Sequence, residues 1–213
     1  MQSFTVEQYK LHLPGCRERL CTARATDWPR DALRYGILAE HVGADLGDFP
    51  AEVQESARLF TAIRPEADSA HGLLITGPVG TGKTRLLAAI SKEHYSAGTA
   101  FYYAMTRTML RRMRDTYQDN AEETESAFMD YLCNVQVLLL DDLAHEGRIS
   151  EAVVGNLHEV LSIRHGNFRP TIITTNLSLE QIGRAYDPSI QSRLSSWEQV
   201  VLAGRDWRRE RSL

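Results

Sequence analysis

A parallel α/β sheet covered by helices on both faces is the fold class this sequence predicts, and three observations predict it. Strand-like and helix-like segments alternate along most of the chain. A short continuous apolar run, Val135 to Leu140, reads as a strand buried on both faces. A glycine-rich loop stands between an apolar run and a segment of helical period. Alternation of this kind implies parallel strands joined by right-handed crossovers.

The elements follow in order. From Pro50, Val53, Ala57, Phe60 and Ile63 recur on one helical face until Arg64-Pro65 ends the helix. Gly72-Leu73-Leu74-Ile75-Thr76 is the first strand, and Leu86, Leu87 and Ile90 mark the helix after the glycine-rich loop. Thr99 to Ala104, with three aromatics, is the second strand. One helix follows to about Tyr117 and another from about Glu125 to Leu132, with the acidic stretch Asp119 to Glu125 as a solvated connection. After the third strand, Val135 to Leu140, the residues Ile149, Val153, Val154, Leu157, Val160 and Leu161 recur at helical spacing, and Gly166 stops that helix. Arg169 to Thr175 is the fourth strand. Ser178-Leu179-Glu180-Gln181 is a capping-box start to a short helix, and Trp197 to Leu202 is a fifth strand. Residues 1–48, broken by Pro14, Gly15, Trp28-Pro29 and Gly43 to Gly47, read as an N-terminal extension to a core spanning residues 49–213.

Bulk properties narrow the class of protein. The chain has 213 residues, 43% of them hydrophobic and 24% charged, the proportions of a soluble globular protein. No apolar run approaches the ~20 residues of a membrane span, and the N-terminus lacks a secretory pattern, so a cytoplasmic protein is expected. Three cysteines suit a reducing compartment. Cys16 and Cys21 lie near His12, but their spacing matches no standard zinc finger and the neighbourhood supplies no fourth ligand. With a net charge of −4, contact with nucleic acid has to come from a local patch. Arg107, Arg111, Arg112 and Arg114 form one candidate, and Arg205, Arg208, Arg209 and Arg211 another. A solvated helix face with acidic neighbours is the plainer reading of both.

The loop carries the chemistry. Gly77-Pro78-Val79-Gly80-Thr81-Gly82-Lys83-Thr84 fits the phosphate-binding pattern G-x-x-x-x-G-K-[ST] without a mismatch. Strand before and helix after give it the required context, with backbone N–H groups and the helix dipole both favouring a polyphosphate. Lys83 is expected to reach the β- and γ-phosphates of a nucleoside triphosphate, and the Thr84 hydroxyl to ligate Mg²⁺. The strand Val137-Leu138-Leu139-Leu140 ends in Asp141 and Asp142. At the carboxyl edge of a parallel sheet these acids face the ligand crevice. Asp141 suits Mg²⁺, which takes one or two carboxylates plus phosphate oxygens, and Asp142 suits the attacking water. Asn176, ending the next strand, is placed to sense the γ-phosphate. Arg193, in Ser192-Arg193-Leu194, suits an arginine finger acting in a neighbouring subunit's site.

In this order the motifs resemble the AAA+ superfamily, and within it the DnaC/DnaI-type helicase loaders and the related IstB-like ATPases. The pieces carrying the likeness are the phosphate loop, Leu-Leu-Leu-Asp-Asp-Leu, Arg-Pro-Thr-Ile-Ile-Thr-Thr-Asn-Leu-Ser-Leu-Glu, Ser-Arg-Leu and Gly-Arg-Asp-Trp-Arg, over roughly residues 50–213. The resemblance implies a P-loop NTPase core with a five-stranded sheet of order 5-1-4-3-2. With eleven residues after Leu202, a core without a C-terminal lid is expected. It also implies a second sensor arginine, best fitted by Arg208 with Arg205 as fallback, and head-to-tail assembly with ATP. A DnaB-type replicative helicase and single-stranded DNA would be the partners, with Arg111, Arg112 and Arg114 contacting the DNA. Ala144 replaces the glycine usual after Asp-Asp-Leu, and the N-terminal region has too few cysteines for the zinc module of some loaders. Two rivals remain open. One is an IstB-like transposition ATPase on duplex DNA; the other is a nucleotide-gated interaction protein with negligible turnover, because aspartate at Asp142 is shorter than glutamate.

Overall fold

The structure, a computed structural model, describes residues 27–61, 72–118, 121, 123–144 and 151–203. His12, Cys16, Cys21, Arg205 and Arg208 lie outside the described residues. Strands β1 (Gly72–Thr76), β2 (Phe101–Met105), β3 (Val137–Asp141), β4 (Thr171–Thr175) and β5 (Glu198–Val201) form one sheet. Its order is β2-β3-β4-β1-β5 and every pairing is parallel, as the resemblance implied. The helices are α1 (Trp28–Arg34), α2 (Ala51–Thr61), α3 (Lys83–Ser96), α4 (Thr106–Asp115), α5 (Glu125–Asn134), α6 (Glu151–Gly166), α7 (Leu179–Ala185) and α8 (Pro188–Ser195). No helix among the described residues is long and apolar enough to cross a membrane.

Period-two alternation divides the interior into two cores. Leu73, Ile75, Leu139 and Ile172 meet α1, α2 and α3 on one face, whereas Leu74, Leu138, Leu140 and Ile173 meet α4 to α8 on the other. Helices on both sides explain why β3 reads as an unbroken apolar run. Local signals fall where the sequence put them. Ser178 and Gln181 form a reciprocal capping box at α7, and the Thr124 hydroxyl accepts from Ala127 N at α5. The separate helix α8 was not anticipated; Asp187 caps it, and Pro188 occupies a first-turn position that needs no N–H.

The segment just before α2 is built into the first core. Trp28, Ala32, Ile37, Ala44, Leu46 and Phe49 are buried there. The Trp28 ring lies 5.2 Å from that of Tyr95 on α3, and Trp28 Nε1 donates to Val42 O at 2.9 Å. Tyr95 OH donates to Asp31 Oδ2 at 2.8 Å. Burial pushes the Tyr95 hydroxyl up to about 12, with the Asp31 charge acting in the same direction. Proline and glycine in this stretch delimit short turns rather than an unstructured arm. A seven-residue helix is too short to hold itself together, so its stability comes from α3.

One buried group on α3 sets a pH dependence. His94 is fully buried, and desolvation lowers its pKa from 6.5 to about 4. Between those values the unfolded chain binds a proton that the folded chain does not. The contribution is therefore complete above the unfolded value and lost as pH falls toward 4. About 3 kcal/mol of stability is expected to disappear across that window. Thermal melts of wild type and His94→Phe between pH 7 and 4 check this: the variant should show a flatter decline, and parallel curves would count against it.

Candidate nucleotide-binding site

The loop between β1 and α3 needs its glycines for two separate reasons. Gly80 and Gly82 adopt φ of 86° and 96°, in the left-handed region that side-chain-bearing residues avoid. Gly77 is hemmed in as well: a Cβ there would lie 2.3 Å from Leu202 O, because Leu202 N donates to Thr76 O at 2.8 Å and draws the end of β5 over the loop. Gly82 caps α3, and the first intrahelical bond runs from Leu86 N to Gly82 O. The N–H groups of the first helical turn thus lack intrahelical acceptors, which makes this end of α3 an anion site. Thr81 Oγ1 donates to Pro78 O at 2.9 Å and tightens the turn. Lys83 Nζ donates to Gly77 O at 2.7 Å and Pro78 O at 2.8 Å, which holds the ammonium directly over the loop.

Parallel register carries the acidic edge to the same place. Asp141 is the last residue of β3, and its carboxylate is 3% exposed. It accepts from three hydroxyls: Thr174 to Oδ1 at 2.6 Å, Thr84 to Oδ1 at 3.2 Å and Tyr103 to Oδ2 at 3.3 Å. Thr106 Oγ1 also donates to its main-chain oxygen at 3.0 Å. Burial raises the Asp141 pKa; the Thr174 and Thr84 hydrogen bonds oppose that rise and the Asp142 charge adds to it. Tyr103 is raised as well, first by burial and then by Asp141.

A cleft of about 410 Å³ joins these pieces. Val79, Gly80, Gly82, Lys83 and Thr84 line it from the loop side, and Asp141, Asp142 and Asn176 from the strand ends. Asp142 and Asn176 are exposed to it. Leu38, Glu40, His41 and Met105 also line it, as do Arg85 and Thr174. Sequence reasoning missed all six, as it missed Tyr103. The Thr-Thr-Asn run was a usable signal for Thr174, whereas the wall from residues 38–41 comes from docking of the N-terminal segment on α3. The donor set fits Mg²⁺: a hydroxyl and a carboxylate 3.2 Å apart leave room for phosphate and water oxygens, as a hard octahedral cation requires. No cluster of three or more His, Cys, Asp or Glu suited to another metal occurs among the described residues.

The remaining expected residues lie away from this cleft. Arg193 on α8 is half-buried, is not part of the cleft wall, and its Nε has no hydrogen-bond partner among the described residues. Arg111 and Arg114 are exposed on α4. Arg112 is turned the other way: its guanidinium pairs with Glu123 Oε2 at 2.7 Å and lies 4.3 Å over the Phe128 ring. A stacked, ion-paired arginine is committed within its own chain.

The family described as IstB-like ATP binding protein matches residues 22–194. The replicative helicase loader DnaC of Escherichia coli (strain K12) is 23% identical over 177 residues, which cover 80% of this chain and 71% of that protein. A protein of insertion sequence IS1162 from Pseudomonas fluorescens is 33% identical over 107 residues, covering 50% of this chain and 44% of its own. The crystal structure of the DnaC helicase loader superposes with a TM-score of 0.65 at 22% identity, over 78% of this chain and all of that one. At that identity the likeness is one of fold: a five-stranded parallel sheet with helices on both faces.

Proposed function

Because the chain belongs to the IstB-like ATP binding protein family, we propose that it is an ATP-dependent loader of a replicative, DnaB-type helicase onto single-stranded DNA. The observation that carries the ATPase part is the Thr84–Asp141 contact, which joins residues 57 apart in sequence at one cleft. The loader relative, matched over 80% of this chain, supports the biological role.

In this reading the first-turn amides of α3 hold the triphosphate. Lys83 exchanges its two loop carbonyls for β- and γ-phosphate oxygens. Thr84 and Asp141 would hold Mg²⁺, which supplies charge neutralisation between those phosphates. Asp142 orients and polarises water, and Asn176 hydrogen-bonds the γ-phosphate. Arg193 from the next copy in a head-to-tail array stabilises charge at that phosphate, with Arg208 as a further sensor. Such chemistry is mostly positioning and electrostatics, and the short carboxylate of Asp142 fits slow turnover. Arg111 and Arg114 are the phosphate contacts for DNA, while Arg112 holds α4 to Glu123.

Two measurements test the role. The protein should be retained on a DnaB-type helicase with ATP and lost without it, and single-stranded DNA should raise its steady-state ATPase rate. Replacing Arg111 and Arg114 together by alanine should weaken oligonucleotide binding and flatten its salt dependence by about 1.4 log units per log unit of salt. The family description and the IS1162 relative favour a second reading, a transposition ATPase on duplex DNA. Preference for duplex over single strands, with no helicase retention, would replace the loader reading by that one.

A further inference from the structure

Asp142 has a backbone φ of 55°, in the left-handed region where residues other than glycine are uncommon and carry strain. Its amide donates to Thr174 Oγ1 at 2.8 Å. An amide can only donate, so the threonine oxygen gives up a lone pair there and its single proton goes to another acceptor. That acceptor is Asp141 Oδ1 at 2.6 Å, a length characteristic of a hydroxyl bound to a carboxylate. One buried hydroxyl, 1% exposed, therefore holds the side chain of the first acid and the main chain of the second.

We propose that Thr174 is a positioning residue for catalysis: it aims the Asp141 carboxylate at the metal position and keeps Asp142 in the strained turn that presents its side chain to the cleft. The role rests on the nucleotide-site reading above. Neighbouring groups do not duplicate it. The Thr84 and Tyr103 hydroxyls reach Asp141 at 3.2 and 3.3 Å but do not touch Asp142 N, and the Thr175 hydroxyl donates to Leu143 O instead. The side chain is also well chosen for the task. A β-branched residue in a strand has few χ1 states, so its hydroxyl is held in direction before any ligand arrives. Thr174 pairs with Ile75 in the centre of the sheet, which fixes its main chain.

Thr174→Val keeps the shape and removes both hydrogen bonds, whereas Thr174→Ser keeps the hydroxyl and removes a methyl. Binding of a fluorescent ATP analogue, titrated with and without Mg²⁺, reads the metal position independently of turnover. Thr174→Val should bind the analogue normally without Mg²⁺ and need about 10- to 100-fold more Mg²⁺ for its effect on binding. Its kcat should fall by about the same factor while KM changes little. Thr174→Ser should restore both. Wild-type Mg²⁺ dependence in Thr174→Val, or a serine variant as impaired as the valine, overturns the proposal. Hydrogen exchange on the wild-type chain tests it even if the valine variant does not fold. The Asp142 amide should be protected despite its exposed side chain, and free exchange there refutes the hydrogen bond on which the role depends. A wild-type chain that binds the analogue under no condition would bring down the nucleotide-site reading and this inference with it; normal wild-type binding with an unaffected valine variant removes the inference alone.

Discussion

Neither Lys83→Ala nor Arg193→Ala is expected to hydrolyse ATP at a useful rate alone, yet an equimolar mixture of the two should recover turnover. Loss of Lys83 removes the ammonium that sits over the phosphate loop and should lower kcat by about 10²–10³-fold. Loss of Arg193 should cost about 10³–10⁵-fold if it acts as an arginine finger, with nucleotide binding retained. Within its own chain Arg193 does not line the cleft, so its charge is available to another copy's site. In a head-to-tail array the intact phosphate loop of an Arg193→Ala chain can face the intact finger of a Lys83→Ala chain. Random mixing makes about a quarter of such interfaces productive, which sets the expected recovery. Steady-state phosphate release on the separate and mixed proteins provides the measurement. An Arg193→Ala chain that turns over normally, or a mixture as inactive as its parts while both chains associate, eliminates the trans-acting finger.

The second large effect lies at the opposite end of β4. Arg164 on α6 is fully buried, and all five guanidinium donors are used. Nε donates to Thr171 Oγ1 at 2.8 Å, Nη1 to Leu132 O at 2.9 Å and Val135 O at 2.7 Å, and Nη2 to Gln136 O at 3.4 Å and Pro170 O at 2.6 Å. These acceptors belong to the C-terminal end of α5, the turn into β3 and the entry to β4. A helix C-terminus presents unsatisfied carbonyls and a partial negative charge, so it can help to solvate a buried cation. Arg164→Ala removes the donors from the buried Leu132 O and Val135 O and empties the space the guanidinium fills, and is expected to destabilise the fold by about 4 kcal/mol. For a chain of this size that corresponds to a Tm lower by roughly 10–15 °C. Lysine should not rescue it, since an ammonium has three donors and no planar fork. Thermal unfolding of the alanine and lysine variants checks this, and a lysine variant melting within a few degrees of wild type would show the fork to be dispensable.

Much of the site was legible because its motifs are local. The phosphate loop is eight consecutive residues, and the acid pair and Asn176 each end an apolar strand. Once strands alternate with helices and crossovers are right-handed, strand ends collect on one edge. Arg164 escaped notice for the opposite reason. An arginine in an amphipathic helix is ordinarily solvated, and three of its partners, Leu132, Val135 and Gln136, lie 28 to 32 residues away in sequence. The segment around α1 was read as an extension because proline and glycine punctuate it, although its Trp28 and Ile37 are core residues. Arg112 looked like part of a basic face until Glu123 and Phe128 were seen to hold it.

Residue order alone determined the alternating architecture, the anion-binding loop and the acids beside it, because each depends on backbone periodicity or on a few adjacent residues. Folding in three dimensions decided which hydroxyls surround Asp141, which N-terminal residues wall the cleft and which arginines are committed inside the chain. Hydrogen bonds and burial act over a few ångströms, and the hydroxyls they bring to Asp141 lie 33 to 57 residues from it along the chain.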